Sequence, residues 1–259
     1  MSDTPSASSL TEAPADPTKG SLRILQLYPR EMNIYGDYGN VLVLKQRLAW
    51  RGYGAEILEH HAGDLFPDDV DLIVGGGGQD SGQVVIQDDL QAIADRLRDL
   101  AEGGTPMLLI CGLYQLFGNF FRTHQGAVIP GIRVLDIETR GGTERLIGNV
   151  VATSEEFGEI HGYENHSGQT FLGPDVKPLA TVLKGAGNNA DEKHEGARYR
   201  NIVASYLHGS LLPKNPAIAD FLLRTAAERK FGAFDDNGVD DSLAELTDLA
   251  RQHAAARPR

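Results

Sequence analysis

The sequence predicts an α/β protein with a mostly parallel sheet flanked by helices. In the first half of the chain, short apolar runs that end at glycine-rich turns alternate with segments of helical periodicity. The resulting order is strand, helix, strand, strand, helix, strand. This alternation is typical of a parallel sheet covered by helices.

The elements of the first half can be placed individually. The predicted strands are residues 22–27, 55–58, 72–74 and 107–110. A first helix is predicted from about Val41, with Val41, Leu44 and Leu48 on one face, and it ends at Gly52. A second helix is predicted through residues 90–100, where apolar residues recur at helical spacing.

The second half shows a different pattern, with short strands separated by Gly and Asn turns. The strand candidates are residues 134–138, 148–153, 160–164, 179–183 and 201–207. Asn215 followed by Pro216 is a helix start signal, so Asn215 is expected to cap a helix. Near the end of the chain, Ser242 and Glu245 have the spacing of a capping box for a weak last helix.

Composition excludes several classes of function. The 259 residues are 41% hydrophobic and include one cysteine, so a substantial core is expected and an internal disulfide or a Cys-rich zinc site is not. The net charge of −12 argues against nucleic acid or an anionic membrane as the main partner. No apolar run approaches the roughly 18 residues of a membrane span, and no signal-peptide pattern is present. A cytoplasmic protein is therefore expected.

The only cysteine, Cys111, lies where a predicted strand ends. Four apolar residues, 107–110, run directly into Cys111, and Gly112 follows it. A residue in this setting lies at the carboxyl edge of the sheet and at the start of the next helix, where open α/β sheets bind ligands. Helix N–H groups there favour a reactive thiolate. The alternative is that Cys111 is a small buried hydrophobic residue, as most free cysteines are.

Two further segments bring reactive groups to strand ends. The predicted strand 72–74 runs into four glycines, 75–78, which leave backbone N–H groups uncovered. The predicted strand 201–207 ends at His208. A thiol, an imidazole base and exposed backbone donors together suit acyl transfer, most simply amide hydrolysis. Most other histidines are interpreted as solvent or turn residues, although His161 and His166 suit either packing or the site.

Three motifs, in this order, resemble the triad (class I) glutamine amidotransferases. They are GGGGQ at residues 75–79, ICGLYQ at 110–115 and YLHG at 206–209. The pattern matches the cobyric-acid-synthase-like branch, and further stretches resemble the glutaminase subunits of lipid II isoglutaminyl synthases. These stretches are residues 33–40, 144–148, 162–168, 187–189 and 207–215.

The resemblance covers about residues 22–232 and implies the flavodoxin-like architecture of that enzyme class. The chain is therefore divided into three parts. Residues 1–20 are predicted to be a disordered arm because they are rich in Ser, Thr, Pro, Ala and Asp. Residues 21–232 are predicted to be the glutamine amidotransferase domain, and residues 233–259 an acidic, then Ala/Arg-rich, weakly helical tail.

The resemblance also implies roles for individual residues. Cys111 is expected to attack the side-chain amide of L-glutamine, release ammonia and carry a glutamyl thioester that water hydrolyses. His208 is expected to act as general base and then as general acid, and no metal is expected. The remaining positions that match the family pattern are the oxyanion-hole residues Gly76, Gly77 and Gly112 and the substrate-binding residues Gln115 and Arg145. A guanidinium such as that of Arg145 suits the carboxylate of glutamine.

Two departures from the family pattern are evident. Many class I enzymes have Gly two residues before and two residues after the cysteine, whereas Leu109 and Leu113 occupy these positions here. The usual Glu two residues after the histidine is Ser210, so no carboxylate stands at the expected spacing to orient His208. The orienting acid is expected to come from a partner subunit or from a more distant residue of this chain. In the first case the isolated chain should be a poor glutaminase.

The resemblance implies a partner because ammonia released into water is protonated and lost. That partner is expected to be a Mur-ligase-like, MurT-type synthetase that carries ATP and Mg²⁺, since this chain has no ATP loop and needs no cofactor of its own. The expected acceptor is the D-glutamate of the lipid II stem peptide, a membrane-linked substrate, amidated to D-isoglutamine. The alternatives are amidation of a corrinoid precursor of the cobyric acid type, a stand-alone cysteine hydrolase and a non-catalytic regulatory subunit.

Overall fold

The computed structural model describes residues 17–237 and 242–256. Its strands are β1 (Ser21–Leu27), β2 (Gly54–His60), β3 (Leu72–Gly75), β4 (Met107–Ile110), β5 (Phe120–Arg122), β6 (Val128–Pro130), β7 (Ile137–Ser154), β8 (Gly158–Leu172), β9 (Ala180–Lys184), β10 (His194–Glu195), β11 (Ala197–Tyr199), β12 (Ile202–Ser205) and β13 (Leu207–His208). Its α-helices are α1 (Tyr38–Trp50), α2 (Asp80–Ala92), α3 (Ala94–Glu102), α4 (Gly112–Leu116), α5 (Pro216–Phe231) and α6 (Ser242–Ala256). A 3₁₀ turn covers Leu212–Lys214.

The central sheet has six strands in the order β11-β12-β4-β3-β1-β2. Its neighbours pair in parallel except for β11 and β12, which are antiparallel. All four residues of β3, β4 and β12 are buried, which explains why these strands read as continuous apolar runs. The prediction of a mostly parallel sheet flanked by helices is confirmed.

The second sheet is largely antiparallel and is built on one long hairpin. β7 pairs with β8 along most of its length, and the register shifts between Gly141 and Leu146. β9, β10, β5 and β6 extend this sheet beyond β7, and β13 pairs with the other side of β8. The sequence predicted several short strands here because the polar bulge interrupts the apolar pattern of β7, and it missed β5 and β6 altogether.

Several predicted boundaries differ from the structure. The predicted helix 90–100 covers the end of α2 and most of α3, which are two separate helices. Helix α2 begins at Asp80, one residue beyond the glycine run and its neighbour Gln79. The predicted strand 201–207 is two strands in different sheets, β12 and β13. Helix α5 begins at Pro216 as expected, but the side chain of Asn215 makes no capping bond. It binds the backbone N–H and C=O of His161 on β8 instead.

The segment after Gly232, predicted as a tail, contacts the rest of the molecule. Phe234 stacks on Tyr53, and Asp235 forms an ion pair with Lys19. The last helix is present as α6, although the side chain of Ser242, and with it the predicted capping box, lies outside the described residues, as do residues 1–16 of the predicted arm. Within residues 17–237 and 242–256, none of the helices is both long and apolar enough to cross a membrane.

A buried charge cluster joins α1 to α5. The Arg47 guanidinium donates two hydrogen bonds to the carboxylate of Asp220, at 2.8 and 2.6 Å. The Arg51 side chain, which is 2% exposed, also donates to Asp220, at 2.9 Å. Arg51 also donates to Asp236, at 2.8 Å. Asp220 is the carboxylate that Arg47 contacts, so the largely buried Arg47 guanidinium depends on Asp220 for compensation.

Replacing this carboxylate should destabilise the fold. We expect Asp220→Asn to lower the free energy of unfolding by about 2 kcal/mol, because it leaves the largely buried Arg47 guanidinium without its carboxylate partner. Urea unfolding followed by circular dichroism measures the change. The control is Asp99→Asn, an exposed acid on α3, which should change the free energy by no more than about 0.5 kcal/mol. Equal stabilities of the two variants would contradict this account.

Candidate active site

Cys111 occupies a sharp turn between β4 and α4. Its backbone has φ 47° and ψ −97°, a conformation that costs a non-glycine residue about 1–3 kcal/mol. The turn is held by the Cys111 N–H, which donates to the carbonyl of Ser205 on β12 at 2.9 Å. The side chain is 6% exposed and lines a cavity. A strained turn thus presents the thiol at the carboxyl edge of the parallel sheet.

The leucines that depart from the family pattern fit without disturbing this turn. Leu113 packs directly against Gly75, where any Cβ would collide with the leucine side chain. Many family members have glycine at the position of Leu113. The larger side chain fits here because the residue that it packs against, Gly75 on β3, is itself a glycine. Leu109 is buried within β4.

His208 approaches Cys111 from the second sheet. It lies on β13, opposite Tyr163 of β8, and is 1% exposed. A Cβ on Gly77 would lie 3.0 Å from the Cβ of Cys111 and 2.5 Å from Cε1 of His208. The two side chains that the sequence predicted as catalytic therefore both contact the position of one glycine. They come from different sheets, since Cys111 follows β4 and His208 lies on β13.

A carboxylate that the sequence analysis did not assign completes the group. One carboxylate oxygen of Asp37 lies 3.6 Å from Nδ1 of His208, and both side chains are 1% exposed. The distance suits an ion pair and is too long for a direct hydrogen bond. The same oxygen accepts the N–H of Gly77 at 2.8 Å. Asp37 is therefore a candidate within this chain for the orienting acid, and a carboxylate from a partner subunit stays the alternative prediction.

The pKa of His208 reflects these neighbours. Burial by itself lowers the pKa of the imidazole, but its interactions with Cys111 and with the Asp37 carboxylate outweigh burial and raise the pKa to about 10. The imidazole is therefore protonated at neutral pH. It can donate a proton to a leaving group without first acquiring one from water.

Backbone amides near the thiol belong to the glycine run and to α4. The N–H of Gly77 is occupied by Asp37, so Gly77 can donate to an oxyanion only if Asp37 turns away. The carbonyl of Gly76 accepts from Leu113 at 3.3 Å. The nitrogen of Gly78 lies 3.0 Å from the point where a Cβ on Gly112 would stand, and Gly78 lines the cavity beside Cys111. The assignment of Gly76, Gly77 and Gly112 to an oxyanion hole stays a prediction, with Gly78 as an additional candidate.

The cavity beside Cys111 has a volume of about 380 Å³. Arg145 lines it from the bulge of β7, donating to Asn165 at 2.6 Å and to the hydroxyl of Tyr35 at 3.1 Å. The ring of Tyr35 packs edge-on against His208, with centroids 4.5 Å apart. The predicted substrate-binding arginine thus lies at the same cavity as the thiol. A larger cavity between α1 and α6, about 710 Å³, has neither Cys111 nor His208 in its lining.

Gln115 is held in a buried hydrogen-bond network behind the cavity. Its amide oxygen accepts from Gln83 at 2.8 Å, and its nitrogen donates to the Tyr206 hydroxyl at 3.0 Å. The ring of His166 stacks on Tyr206 with centroids 3.7 Å apart. The sequence left open whether His161 and His166 serve packing or the site. His166 lines the cavity, whereas His161 does not line it and hydrogen-bonds to Glu159. Burial lowers the pKa of His166 to about 4, which keeps its ring neutral.

A cysteine, a histidine and a buried carboxylate lie beside a polar cavity on an α/β fold, and these are the groups that thiol-dependent acyl transfer requires. The chain belongs to the CobB/CobQ-like glutamine amidotransferase family, whose domain it matches over residues 23–216. Solved amidotransferase structures share its fold. One gives a TM-score of 0.55 at 18% identity, covering 78% of this chain and 98% of the other. Another, from Thermotoga maritima, gives 0.52 at 14% identity, covering 90% and 93%.

Sequence relatives specify the similarity further. The chain is 38% identical to the protein named lipid II isoglutaminyl synthase (glutamine-hydrolyzing) subunit GatD of Staphylococcus aureus (strain N315), over 85% of this chain and 90% of that protein. Identity to the protein of the same name from Streptococcus pneumoniae (strain ATCC BAA-255 / R6) is also 38%, over 82% of each chain. A probable cobyric acid synthase of Methanothermobacter thermautotrophicus is 32% identical over 55% of this chain and 31% of its own length.

The ionisation of His208 can be tested directly. We expect the His208 ring resonance, followed by NMR in the full chain, to titrate near pH 10. Asp37→Asn and Cys111→Ser should each lower that midpoint by about one to three pH units, because each removes an interaction that raises the pKa of His208. The control Asp99→Asn should leave it unchanged. A midpoint that stays near pH 10 in both site variants would contradict the assigned contacts.

Proposed function

We propose that this chain is a glutaminase subunit that converts L-glutamine to glutamate and ammonia. The observation that carries the proposal is the meeting of Cys111 and His208 at Gly77. The thiolate attacks the side-chain carbonyl carbon, and His208 donates its proton to the departing nitrogen as the C–N bond breaks. Ammonia leaves, and a glutamyl thioester remains on Cys111. Water then attacks the thioester, the neutral imidazole takes up its proton, and glutamate and the thiolate are released.

Each remaining group of the site has a role in this mechanism. Backbone amides of the glycine run and of α4 stabilise the oxyanion of each tetrahedral intermediate, and losing one such donor costs about 3 kcal/mol of the barrier. The Arg145 fork binds the α-carboxylate of glutamine. Gln115, fixed by Gln83 and Tyr206, shapes the floor of the pocket. Asp37 orients the imidazolium of His208.

The ammonia is passed to a synthetase partner, because in water it would be protonated and lost. By analogy with the two GatD relatives, we propose that this partner is a MurT-type, Mur-ligase-like synthetase that holds ATP and Mg²⁺. The acceptor is the D-glutamate of the lipid II stem peptide, and the complex works in the cytoplasm. The corrinoid alternative has less support, since similarity to the cobyric acid synthase covers 55% of this chain, against 85% for the first GatD relative.

Removing the thiol tests the proposal. We expect Cys111→Ala, in complex with the copurifying synthetase, to lower glutamine-dependent ammonia release by at least about 10³-fold, because no other group can form the thioester. Ammonia is measured by a coupled assay. His208→Ala should show a comparable loss, and His124→Ala, which changes an exposed histidine, should not. Full activity in Cys111→Ala would favour a non-catalytic regulatory subunit.

The source of the orienting carboxylate needs a separate test. We expect Asp37→Asn to lower kcat for ammonia release by roughly 10- to 100-fold with little change in KM, because the imidazolium loses its buried counter-charge. The measurement is made with the chain alone and with the complex. Unchanged kcat in the complex would mean that the partner supplies the acid, which is the other source expected from the absence of a Glu after His208.

A further inference from the structure

The cavity beside Cys111 is lined by two side chains of opposite fixed charge. Arg145 is the cation, and Asp80, the first residue of α2, is the anion. The other described residues in its lining are glycine, apolar, hydroxyl, amide or thiol side chains and the neutral ring of His166. The cavity therefore presents one fixed positive and one fixed negative charge in addition to the Cys111–His208 pair.

Neither charge is neutralised by the part of the chain that the structure describes. Arg145 donates to an amide oxygen and to a hydroxyl, both uncharged. Asp80 forms no ion pair or side-chain hydrogen bond with residues 17–237 or 242–256, and it is an exposed residue in the lining of the cavity. An unpaired cation and an unpaired anion at one cavity are complementary to a zwitterion.

The position of Asp80 also has a simpler explanation. An acidic residue in the first turn stabilises a helix through the helix dipole. That effect accounts for an acid at this position on any exposed helix. It does not account for an acid at the mouth of a cavity whose other fixed charge is a guanidinium, so the two explanations make different predictions about ligand selectivity.

We propose that Asp80 binds the α-ammonium group of the glutamine substrate, while Arg145 holds its α-carboxylate. The inference rests on the proposed glutaminase function and adds a specificity-determining residue to it. Arg145 repels an ammonium group, and Asp80 offsets that repulsion. A simple ω-amide that lacks the α-ammonium gains nothing from Asp80. The residue therefore selects an amino acid over other primary amides.

A matched pair of reagents tests this assignment on the full-length chain without its partner. The first is the chloromethyl ketone analogue of L-glutamine, which alkylates the cysteine at the end of the pocket. The second is the same chloromethyl ketone without the α-amino group. Intact-mass spectrometry measures the rate of Cys111 alkylation against reagent concentration, and the readout is the half-saturating concentration of each reagent.

We expect the half-saturating concentration of the amino reagent for wild-type protein to be about tenfold lower than that of the des-amino reagent. A difference of this size is expected for one charge-assisted contact at an exposed site. In Asp80→Asn the two values should converge through loss of affinity for the amino reagent alone. The control is Asp88→Asn, an exposed acid on the same helix that does not line the cavity, and it should retain the wild-type difference. Iodoacetamide, which carries no charge, should alkylate all three proteins at the same rate.

Other outcomes separate the possible failures. If Asp80→Asn retains the tenfold difference while its thermal stability falls, Asp80 serves only the helix dipole and the inference is overturned. If wild-type protein shows no saturation with either reagent, the cavity is not a glutamine pocket, and the proposed function fails together with the inference. If Asp80→Asn keeps the wild-type preference for the amino reagent and its stability is unchanged, the inference about Asp80 is overturned, and the proposed glutaminase function is not affected.

Discussion

The arrangement at the centre of this molecule depends on the absence of a side chain at Gly77. A Cβ at this position would press on both the Cys111 and the His208 side chains, and the Gly77 N–H is bound by Asp37. Even a methyl group would stand 2.5 Å from the ring of His208. The glycine run is thus a close-packed spacer on which three side chains from different parts of the chain converge, and its glycines are required by contact distances.

The two reactive side chains come from different sheets, so the joint between those sheets fixes their geometry. β12 in the parallel sheet and β13 in the second sheet are separated only by Tyr206. Glu195 holds this joint, since one of its carboxylate oxygens accepts from the Ser205 hydroxyl at 2.6 Å and from the Tyr206 N–H at 3.0 Å. Burial raises the pKa of Glu195 to about 7. Ser205 in turn accepts the N–H of Cys111, so a single carboxylate supports both halves of the site.

Local sequence patterns predicted the parts of this protein whose form is decided locally. The strand that ends at Cys111 is an uninterrupted apolar run because it is buried on both faces, and the glycines that follow such strands mark real turns. The long hairpin of β7 and β8 escaped prediction because its bulge, which positions Arg145, breaks the two-residue period. The sequence predicted β12 and β13 as one strand because the residues of both strands are buried, although the two strands belong to different sheets.

Asp37 and Asp80 illustrate what a local pattern cannot provide. Asp37 lies within the loop of residues 33–40, and Asp80 lies two residues after the glycine run, so neither stands directly at the end of a strand. Their chemistry becomes apparent only when the loop before α1 and the start of α2 are placed around the thiol. Residues that are close in space but distant in sequence have no characteristic spacing that a sequence pattern could detect. The family pattern places the carboxylate at position 210, which is a serine here, and the Ser210 hydroxyl donates to the carbonyl of Gly36.

The solitary sulfhydryl of this polypeptide has a consequence for its behaviour under oxidative stress. Cys111 is the one thiol in 259 residues, so a peroxide that enters the cavity meets the nucleophile and no other sulfhydryl. A sulfenic acid formed there finds no resolving cysteine in the same chain to trap it as an internal disulfide. Recovery must then depend on a thiol from outside this chain, and the width of the cavity mouth limits which reductants can enter.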